Sequence, residues 1–306
     1  MHYKHCILIS LLFVAIPAWA EDQYQATGLV LEVDPQEGTV VISHDPIPGF
    51  MDAMVMPFHV LDPRELENVR PAMMVDFTLV VDDTSSHVSG FHERKFDSIE
   101  QDPDQARRLN ALDAALKAQA GAPPPLQIGQ AVPDFTLVDQ NNQPVTLSDF
   151  RGKVVAMTFI YTRCPLPDYC FRLTNNFGRL QKRFPDHIGK DLILLSVSFD
   201  PDHDTPEVLA EYADVWNADI TGWHFLTGPL DRIKQVCDQF GMNFWPSEGL
   251  MTHSLHTVLI DGEGKLAANL EGNRFTAVQL GDLVQTMLTE NSREVRTQRR
   301  SKALGR

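Results

Sequence analysis

Two nearly uninterrupted apolar runs, "VVAMTFIY" at 154–161 and "DLILLSVSF" at 191–199, constrain the second half of the chain most strongly. A strand with one exposed face alternates apolar and polar residues, whereas a strand covered on both faces is apolar throughout. Amphipathic helical patterns follow these runs at 205–216, 230–241 and 276–288. Buried strands that alternate with helices predict a three-layer α/β domain over residues 126–290.

The first part of the chain has a different pattern. Residues 24–98 contain short alternating segments separated by turn residues, and no long helical pattern. We predict five short strands, the last at 94–101, which suits a small OB-like β-barrel. A helix with proline in its first turn, followed by "GAPPP", makes residues 99–125 a joint between two domains. The basic stretch 291–306 is expected to be a disordered tail.

Residues 1–20 have the features of an export signal. A short start with Lys4 leads into an apolar run and then into the small-x-small pattern Ala18-Trp19-Ala20. The apolar run is shorter than the ~20 residues that span a membrane, and an uncleaved membrane anchor is the alternative. We therefore expect an exported, periplasmic protein. Its net charge of −15 gives no electrostatic basis for binding nucleic acid or anionic lipid.

Cys164 and Cys170 follow the first buried run and bracket the turn "PLPDY". A polar turn with two prolines does not fit a hydrophobic core, so we interpret the pair as functional. Cys237 shares a helix face with Ile233 and Phe240 and is expected to be core. Three chemistries fit the pair: a thiol-disulfide oxidoreductase, a peroxide-reducing thiol with its partner, and the soft half of a metal site.

The histidines of "MTHSLH", His253 and His256, lie just before a predicted strand at 256–261. A peroxidase is expected to have an arginine there, and a thioredoxin-type reductase a tighter Cys-x-x-Cys turn and a cis-proline. Two thiolates and one imidazole form a three-coordinate set that suits copper better than a hard cation. A closed zinc site usually takes a fourth ligand.

A second group of soft ligands lies in "HDPIPGFMDAMVM", residues 44–56. Met54 and Met56 are two residues apart and so point to one face of a strand; Met51 is close by, and His44 ends the preceding strand. An apolar face is the simple explanation for such methionines. Their combination with a histidine favours a Cu(I) site, because thioethers are neutral soft ligands.

The second domain resembles the SCO/SenC family of copper-binding, thioredoxin-fold proteins. Four motifs carry the resemblance in the same order: "TFIYTRCPLPDYC", "SVSFDPDHDTPEVL", "WHFLTG" and "THSLHTVLIDGEG". It implies that Cys164, Cys170 and His253 bind copper, and that His256 is an extra histidine. It also implies that the copper-bearing subunit of cytochrome c oxidase, with its dinuclear copper site, is the acceptor. The family has three residues between its cysteines, whereas five separate them here.

The acidic loop "DPDHDTPE" of this family follows the second buried run. Asp200 comes directly after the strand and is a candidate for tuning the cysteine site. Asp202 and Asp204 are expected to be caps and turn residues.

Residues 24–98 resemble the small periplasmic copper-binding barrels of the CusF type. In those barrels one histidine and two methionines bind Cu(I) beneath a tryptophan. His44, Met54 and Met56 match these ligands, and Met51 takes the place of the tryptophan.

The two resemblances together imply an exported copper metallochaperone. The barrel would capture Cu(I) and pass it to the cysteine site for delivery to cytochrome c oxidase or another copper acceptor, and a thiol reductase would keep the cysteines reduced. The alternative is a periplasmic thiol-disulfide oxidoreductase with Cys164 and Cys170 as its redox pair. A copper or redox sensor is a third class.

Overall fold

The structure, a computed structural model, describes residues 21–82, 84–94, 111–112, 115–116, 121, 123–247 and 249–304. The expected export signal at 1–20 and most of the expected joint at 99–125 lie outside the described residues. The described part forms a five-stranded sheet, a seven-stranded sheet and a two-stranded hairpin. The predicted fold class, a small all-β domain followed by an α/β domain, is confirmed.

The first sheet is antiparallel throughout. Its strands are β1, Asp22–Asp34; β2, Thr39–His44; β3, Met54–His59; β4, Met74–Val81; and β5, Ser86–Glu93. The strand order is β3-β2-β1-β4-β5. The two edge strands meet at an isolated bridge between Val60 and Val88, so the sheet curls toward closure. Within the described residues no continuous ladder joins these edges.

The fifth strand lies earlier than the predicted 94–101. The side chain of Asp82 accepts hydrogen bonds from the backbone N–H groups of Thr84 and Ser85, both at 2.7 Å. This turn leads into β5. The polar composition of "DTSSHVSG" indicates a loop, but an edge strand with an exposed face needs few apolar residues. Residues 95–101 of the predicted strand lie outside the described part.

The middle of strand β1 is buried on both faces. Ala26 and Val30 pack in the core of the first sheet. Leu29 and Leu31 point the other way and join the core of the second domain. Because side chains alternate along a strand, the central strand of the first sheet carries the contact between the two domains.

The second sheet has seven strands, of which the longest have seven residues. A separate hairpin and four α-helices complete the described part of the second domain. The strands are β6, Thr136–Asp139; β7, Pro144–Thr146; β8, Val154–Ile160; β9, Leu192–Ser198; β10, Trp223–Thr227; β13, His256–Ile260; and β14, Leu266–Glu271. The hairpin strands are β11, Phe244–Ser247, and β12, Leu250–His253. The helices are α1, Arg172–Arg183; α2, Pro206–Val215; α3, Leu230–Gln239; and α4, Ala277–Leu304.

The order of the second sheet is β14-β13-β8-β9-β10-β6-β7. Strands β8, β9 and β10 run parallel, and β13 pairs antiparallel with β8. A β-α-β unit followed by a β-hairpin and a helix is the thioredoxin-like arrangement. Every residue of β8 and β9 is buried, as their unbroken apolar sequences predict.

Helix α4 continues through most of the expected disordered tail, 291–306. Neither proline nor glycine interrupts the sequence between Asp282 and Leu304, and Arg, Lys, Gln and Glu are good helix formers. The expectation of disorder is therefore wrong for residues 291–304. Among the described helices, none is both long and apolar enough to cross a membrane.

Gly28 of β1 lies opposite His44 of β2. A Cβ atom at Gly28 would lie 2.5 Å from Cγ2 of Ile42 and 2.8 Å from Cα of His44, and backbone atoms cannot move aside without disturbing the sheet. We expect Gly28→Ala to lower the free energy of unfolding of the first domain by about 1–3 kcal/mol, measured by urea unfolding of the full chain.

Gly178→Ala in α1 is the matched control for this substitution. A Cβ atom there meets nothing closer than 3.9 Å, so the change should be neutral or stabilising by up to about 1 kcal/mol. Unchanged stability of Gly28→Ala would contradict the close approach of β1 to His44.

Candidate metal centre

The cysteine turn follows β8 at the edge of the second sheet. Cys164 is partly buried and Cys170 is fully buried. A single π-helical turn, Pro167–Phe171, contains Cys170 and leads into α1. Inside this turn the backbone of Tyr169 departs from helical angles. The π-helical turn, a feature frequent at functional sites, accommodates the five residues between the cysteines.

Three ligand atoms converge here. The Sγ atoms of Cys164 and Cys170 and a ring nitrogen of His253 all lie within 4.8 Å of one another. His253 ends β12, in a hairpin that the sequence did not predict, and its Nε2 lies 3.8 Å from the Sγ of Cys170. In the part of the chain that the structure describes, no other group of three or more Cys, His, Asp or Glu side chains converges in this way.

The ring of His253 is oriented through its other nitrogen. Nδ1 lies 2.8 Å from the carbonyl oxygen of Ser254, and because a carbonyl oxygen can only accept, Nδ1 carries the proton. Nε2 therefore presents its lone pair toward the cysteines. Such a bond from the second ring nitrogen commonly orients a metal-binding histidine.

Aromatic rings surround the imidazole of His253. The ring centroids of Phe199, Tyr161 and Tyr169 lie 4.8, 5.7 and 6.1 Å from that of the imidazole. The sequence did not predict these three residues as part of the site. A signal was available for two of them, because Tyr161 and Phe199 directly follow β8 and β9, and neighbouring parallel strands end at the same edge of a sheet.

His256 lies apart from this cluster. It is buried at the start of β13, and its Nδ1 donates to Oδ1 of Asn269 on the paired strand β14 at 2.9 Å. Burial lowers the pKa of His256, which favours the neutral imidazole. The structure thus brings His253 to the cysteines and leaves His256 in the core.

The two thiols differ in acidity. The pKa of Cys164 is lowered to about 4, chiefly by its hydrogen bond with the thiol of Cys170. Burial raises the pKa of Cys170 well above its ordinary value, and the neighbouring Cys164 raises it further. Near neutral pH the pair therefore consists of a Cys164 thiolate that accepts the hydrogen of the Cys170 thiol.

Two carboxylates of the acidic loop hold the start of the cysteine turn. Asp200 pairs with Arg163, the residue before Cys164, at 2.7 Å. Asp204 is fully buried. It accepts hydrogen bonds from the backbone N–H of Thr162 at 3.0 Å and from the hydroxyl groups of Thr162 and Ser198. Asp204 thus fastens the turn to β9, a larger role than that of the cap or turn residue expected from the sequence.

The second candidate group lies at the end of the β2–β3 pair. His44 and Met54 are directly opposite each other, and Met56 is opposite Ile42. Residues opposite each other, or two apart on one strand, share a face of the sheet. His44, Met54 and Met56 therefore share one face. Met51 lies in the connecting loop, where its backbone bridges to that of Ile47.

His44 carries an unused ring nitrogen. The side chain is buried, with 1% exposed, and its Nδ1 donates to the carbonyl oxygen of Asp45 at 2.8 Å. Its Nε2 is buried without a hydrogen-bond partner. Met54 is 48% exposed, whereas Met51 and Met56 pack against the core of the first sheet. A buried lone pair on the same sheet face as two thioethers fits a soft metal ion.

These features define a thioredoxin-like protein with a dithiol–imidazole cluster. Residues 125–288, more than half of the chain, match the SCO1/SenC family. The chain therefore belongs to the SCO1/SenC family. Residues 23–93 match the family described as copper binding periplasmic protein CusF, in agreement with the resemblance of the first domain.

Individual proteins show the same similarity. Protein sco1 of Schizosaccharomyces pombe is 31% identical over 147 residues, which are 45% of this chain and 53% of that protein. Protein SCO2, mitochondrial, of Saccharomyces cerevisiae is 31% identical over 177 residues, 54% of this chain and 56% of that protein. The chain spans about half the length of these relatives.

Among solved structures, BsSco is described as a member of the Sco family of cytochrome c oxidase assembly proteins with a disulfide switch. It is 27% identical and covers 54% of this chain and 96% of its own, with a TM-score of 0.46.

The acidity of the thiols predicts selective alkylation. Because the thiolate is the reactive form, iodoacetamide should modify Cys164 of the reduced protein at pH 6 and leave Cys170 unmodified. The rate should stay nearly constant from pH 8 to pH 6 and fall only as the pH approaches the Cys164 pKa of about 4. Peptide mass spectrometry after acid quenching measures both sites.

Cys170→Ala is the informative control, because it removes the main cause of the low Cys164 pKa. The rate at pH 6 should then fall. A parent rate that already declines steadily below pH 8 would contradict the lowered pKa.

Proposed function

We propose that this protein is an exported copper metallochaperone that binds Cu(I) at two sites and delivers it for assembly of the dinuclear copper site of cytochrome c oxidase. The convergence of two sulfur atoms and one imidazole nitrogen within 4.8 Å carries the proposal. The membership in the SCO1/SenC family and the match of the first domain to a copper binding periplasmic protein support it.

The cysteine site would hold copper through Cys164, Cys170 and His253. Thiolate and imidazole ligands favour copper over hard cations. The Cys164 thiolate is already present near neutral pH, whereas Cys170 must lose its proton when the metal enters, since metal binding to a thiol releases the proton. Tyr161, Phe199 and Tyr169 around His253 limit the access of water to that side of the site.

The first domain would capture Cu(I) through His44, Met54 and Met56, with Met51 as a further thioether. The buried, unpartnered Nε2 of His44 supports this assignment, and the exposed Met54 offers an entry point for the ion. Thiolates bind soft cations more strongly than thioethers do, because they add negative charge. Ligand exchange would therefore run from the first domain to the cysteine site.

A thiol-disulfide oxidoreductase is the second candidate, and the asymmetry of the thiols favours it. A thiolate with a pKa of about 4 beside a buried thiol of raised pKa resembles an attacking cysteine with its resolving partner. In this reading Cys164 attacks a partner's disulfide, and Cys170 then displaces the partner's thiol to leave an intramolecular disulfide.

A Cu(I) titration of the reduced chain 21–306 against a competing chelator separates these functions. We expect two bound equivalents. His253→Ala should weaken the cysteine site by at least about tenfold, since it removes one of three ligands, while His256→Ala should leave the affinity of folded protein nearly unchanged. Equal or greater damage from His256→Ala would overturn the ligand assignment. Absence of binding at the cysteine site would leave the oxidoreductase as the function.

The first domain should keep its copper when the cysteines are oxidised. Its ligands include no thiol, so mild oxidation that joins Cys164 to Cys170 should leave one equivalent of bound Cu(I). Met54→Ile together with Met56→Ile should abolish this equivalent and leave the circular dichroism spectrum unchanged. Mild thiol oxidants are required because stronger ones convert methionine to its sulfoxide. If the oxidised parent binds no copper, the methionines are packing residues and the two-site proposal fails.

A further inference from the structure

The residues on either side of His44 are held by the second domain. The amide nitrogen Nε2 of Gln279, in the first turn of α4, donates to the carbonyl oxygen of Ser43 and to Oδ1 of Asp45, both at 3.1 Å. The hydroxyl of Ser43 donates to Oδ2 of Asp282 at 2.7 Å. These bonds join segments more than 230 residues apart in the chain, and all of them reach the immediate neighbours of His44.

The side chain of Gln279 is held in place by hydrogen bonds at the start of its own helix. Its Oε1 accepts from the backbone N–H of Thr276 at 2.8 Å, and the Thr276 hydroxyl accepts from the backbone N–H of Gln279 at 3.1 Å. This reciprocal pair is a capping box. It occupies the oxygen of the amide and turns the nitrogen toward the first domain. The Gln279 side chain is buried, with 2% exposed, so water does not compete for these bonds.

The same segment also contacts the cysteine turn. The side-chain amide of Asn273 donates to the carbonyl oxygen of Asp168, which lies between the two cysteines. Arg183 of α1 holds the carboxylate of Asp282 at 2.7 Å and the carbonyl of Val278 at 3.0 Å. Residues 273–282 are thus anchored to the cysteine turn and to α1 at the same time as they hold the flanks of His44.

We propose that Gln279 is a positioning residue for His44, and that it makes the affinity of the first domain for Cu(I) depend on contact with the second domain. The proposal rests on the proposed function of His44 as a copper ligand. The Nδ1 of His44 donates to the carbonyl of Asp45, so the direction of Nε2 depends on where residue 45 lies. Gln279 fixes that residue through its carboxylate and fixes Ser43 through its carbonyl.

As a consequence, His44 would be held in its metal-binding orientation only while the Gln279 contacts join the two domains. A ligand held in its binding orientation loses less conformational entropy when the metal arrives. Opening of the Gln279 contacts would lower the affinity and favour release of the ion toward the cysteine site, to which the same segment is attached.

The test uses the full chain 21–306 carrying Cys164→Ser and Cys170→Ser, so that added Cu(I) reports on the first domain. Gln279→Glu is the decisive variant. Its carboxylate can still accept from Thr276 and keep the capping box, but it cannot donate to Ser43 or to Asp45. We expect the Cu(I) affinity to fall about tenfold, within the usual range of coupling between sites, while the urea midpoint of the second domain stays unchanged.

Gln235→Glu on the exposed face of α3 controls for the added negative charge and should leave the affinity unchanged. A second readout is the ¹⁵N spectrum of the His44 ring in the metal-free protein. The parent should show a single tautomer with the proton on Nδ1, and Gln279→Glu should show both tautomers. If Gln279→Glu does not fold, Asp45→Ala removes the side-chain acceptor of Gln279 and gives the same test from the other side of the contact, with an expected loss of about threefold.

The outcomes separate the two proposals. A Cys-to-Ser parent that binds no Cu(I) refutes the copper site of the first domain, and the His44 tautomers then still decide whether Gln279 positions the ring. A parent that binds Cu(I) with an affinity equal to that of Gln279→Glu overturns the positioning role and leaves the copper site standing.

Discussion

Strand β8 pairs with β9 on one side and with β13 on the other, and this pairing positions the cysteine site. Every residue of β8 is buried, so the strand has no freedom to shift its register without exposing apolar side chains. Tyr161 and Cys164 follow the end of β8, and Phe199 follows the end of β9. The hairpin before β13 supplies His253. Atoms from distant parts of the sequence therefore meet at one edge of a rigid sheet.

The two histidines proposed to bind copper are oriented in the same way. In each, Nδ1 donates to the backbone carbonyl of the following residue, Asp45 for His44 and Ser254 for His253. The remaining nitrogen, Nε2, is left as an acceptor. A bond to the adjacent residue is local, so either histidine can be oriented by a short stretch of backbone. The fold must therefore hold that short stretch of backbone in place.

One arrangement of the dithiol suits both the copper binding and the redox chemistry proposed for it. A thiolate stabilised by a neighbouring thiol is a soft ligand and also a nucleophile. Which chemistry prevails depends on whether a soft metal ion or a partner's disulfide reaches the pair first. Because Cys170 is buried, an incoming metal ion or partner disulfide would reach the Sγ atom of Cys164 first. The acidic loop, through Asp200 and Asp204, keeps this turn in place for both.

Features of the protein that depend on local pattern could be predicted from the sequence. The apolar runs of β8 and β9 predicted buried strands because burial on two faces requires apolar residues throughout. The residue types at Cys164, Cys170 and "MTHSLH" predicted soft metal ligands or redox chemistry. Local pattern gave a wrong prediction at two places. The polar segment Ser86–Glu93 is an edge strand and not a loop, and the basic end of the chain continues helix α4 through Leu304.

Contacts between distant segments, by contrast, are fixed only in the folded chain. His253 lies beside the cysteines, as the family resemblance implied and the residue types alone did not, because β11 and β12 form a hairpin that ends beside the turn while His256 enters a buried strand. Folding also brings Gln279 to the flanks of His44. No periodicity in the sequence encodes a side-chain contact across 236 residues, since such a contact exists only after β1 has buried one face in the core of the first domain and the other in the core of the second.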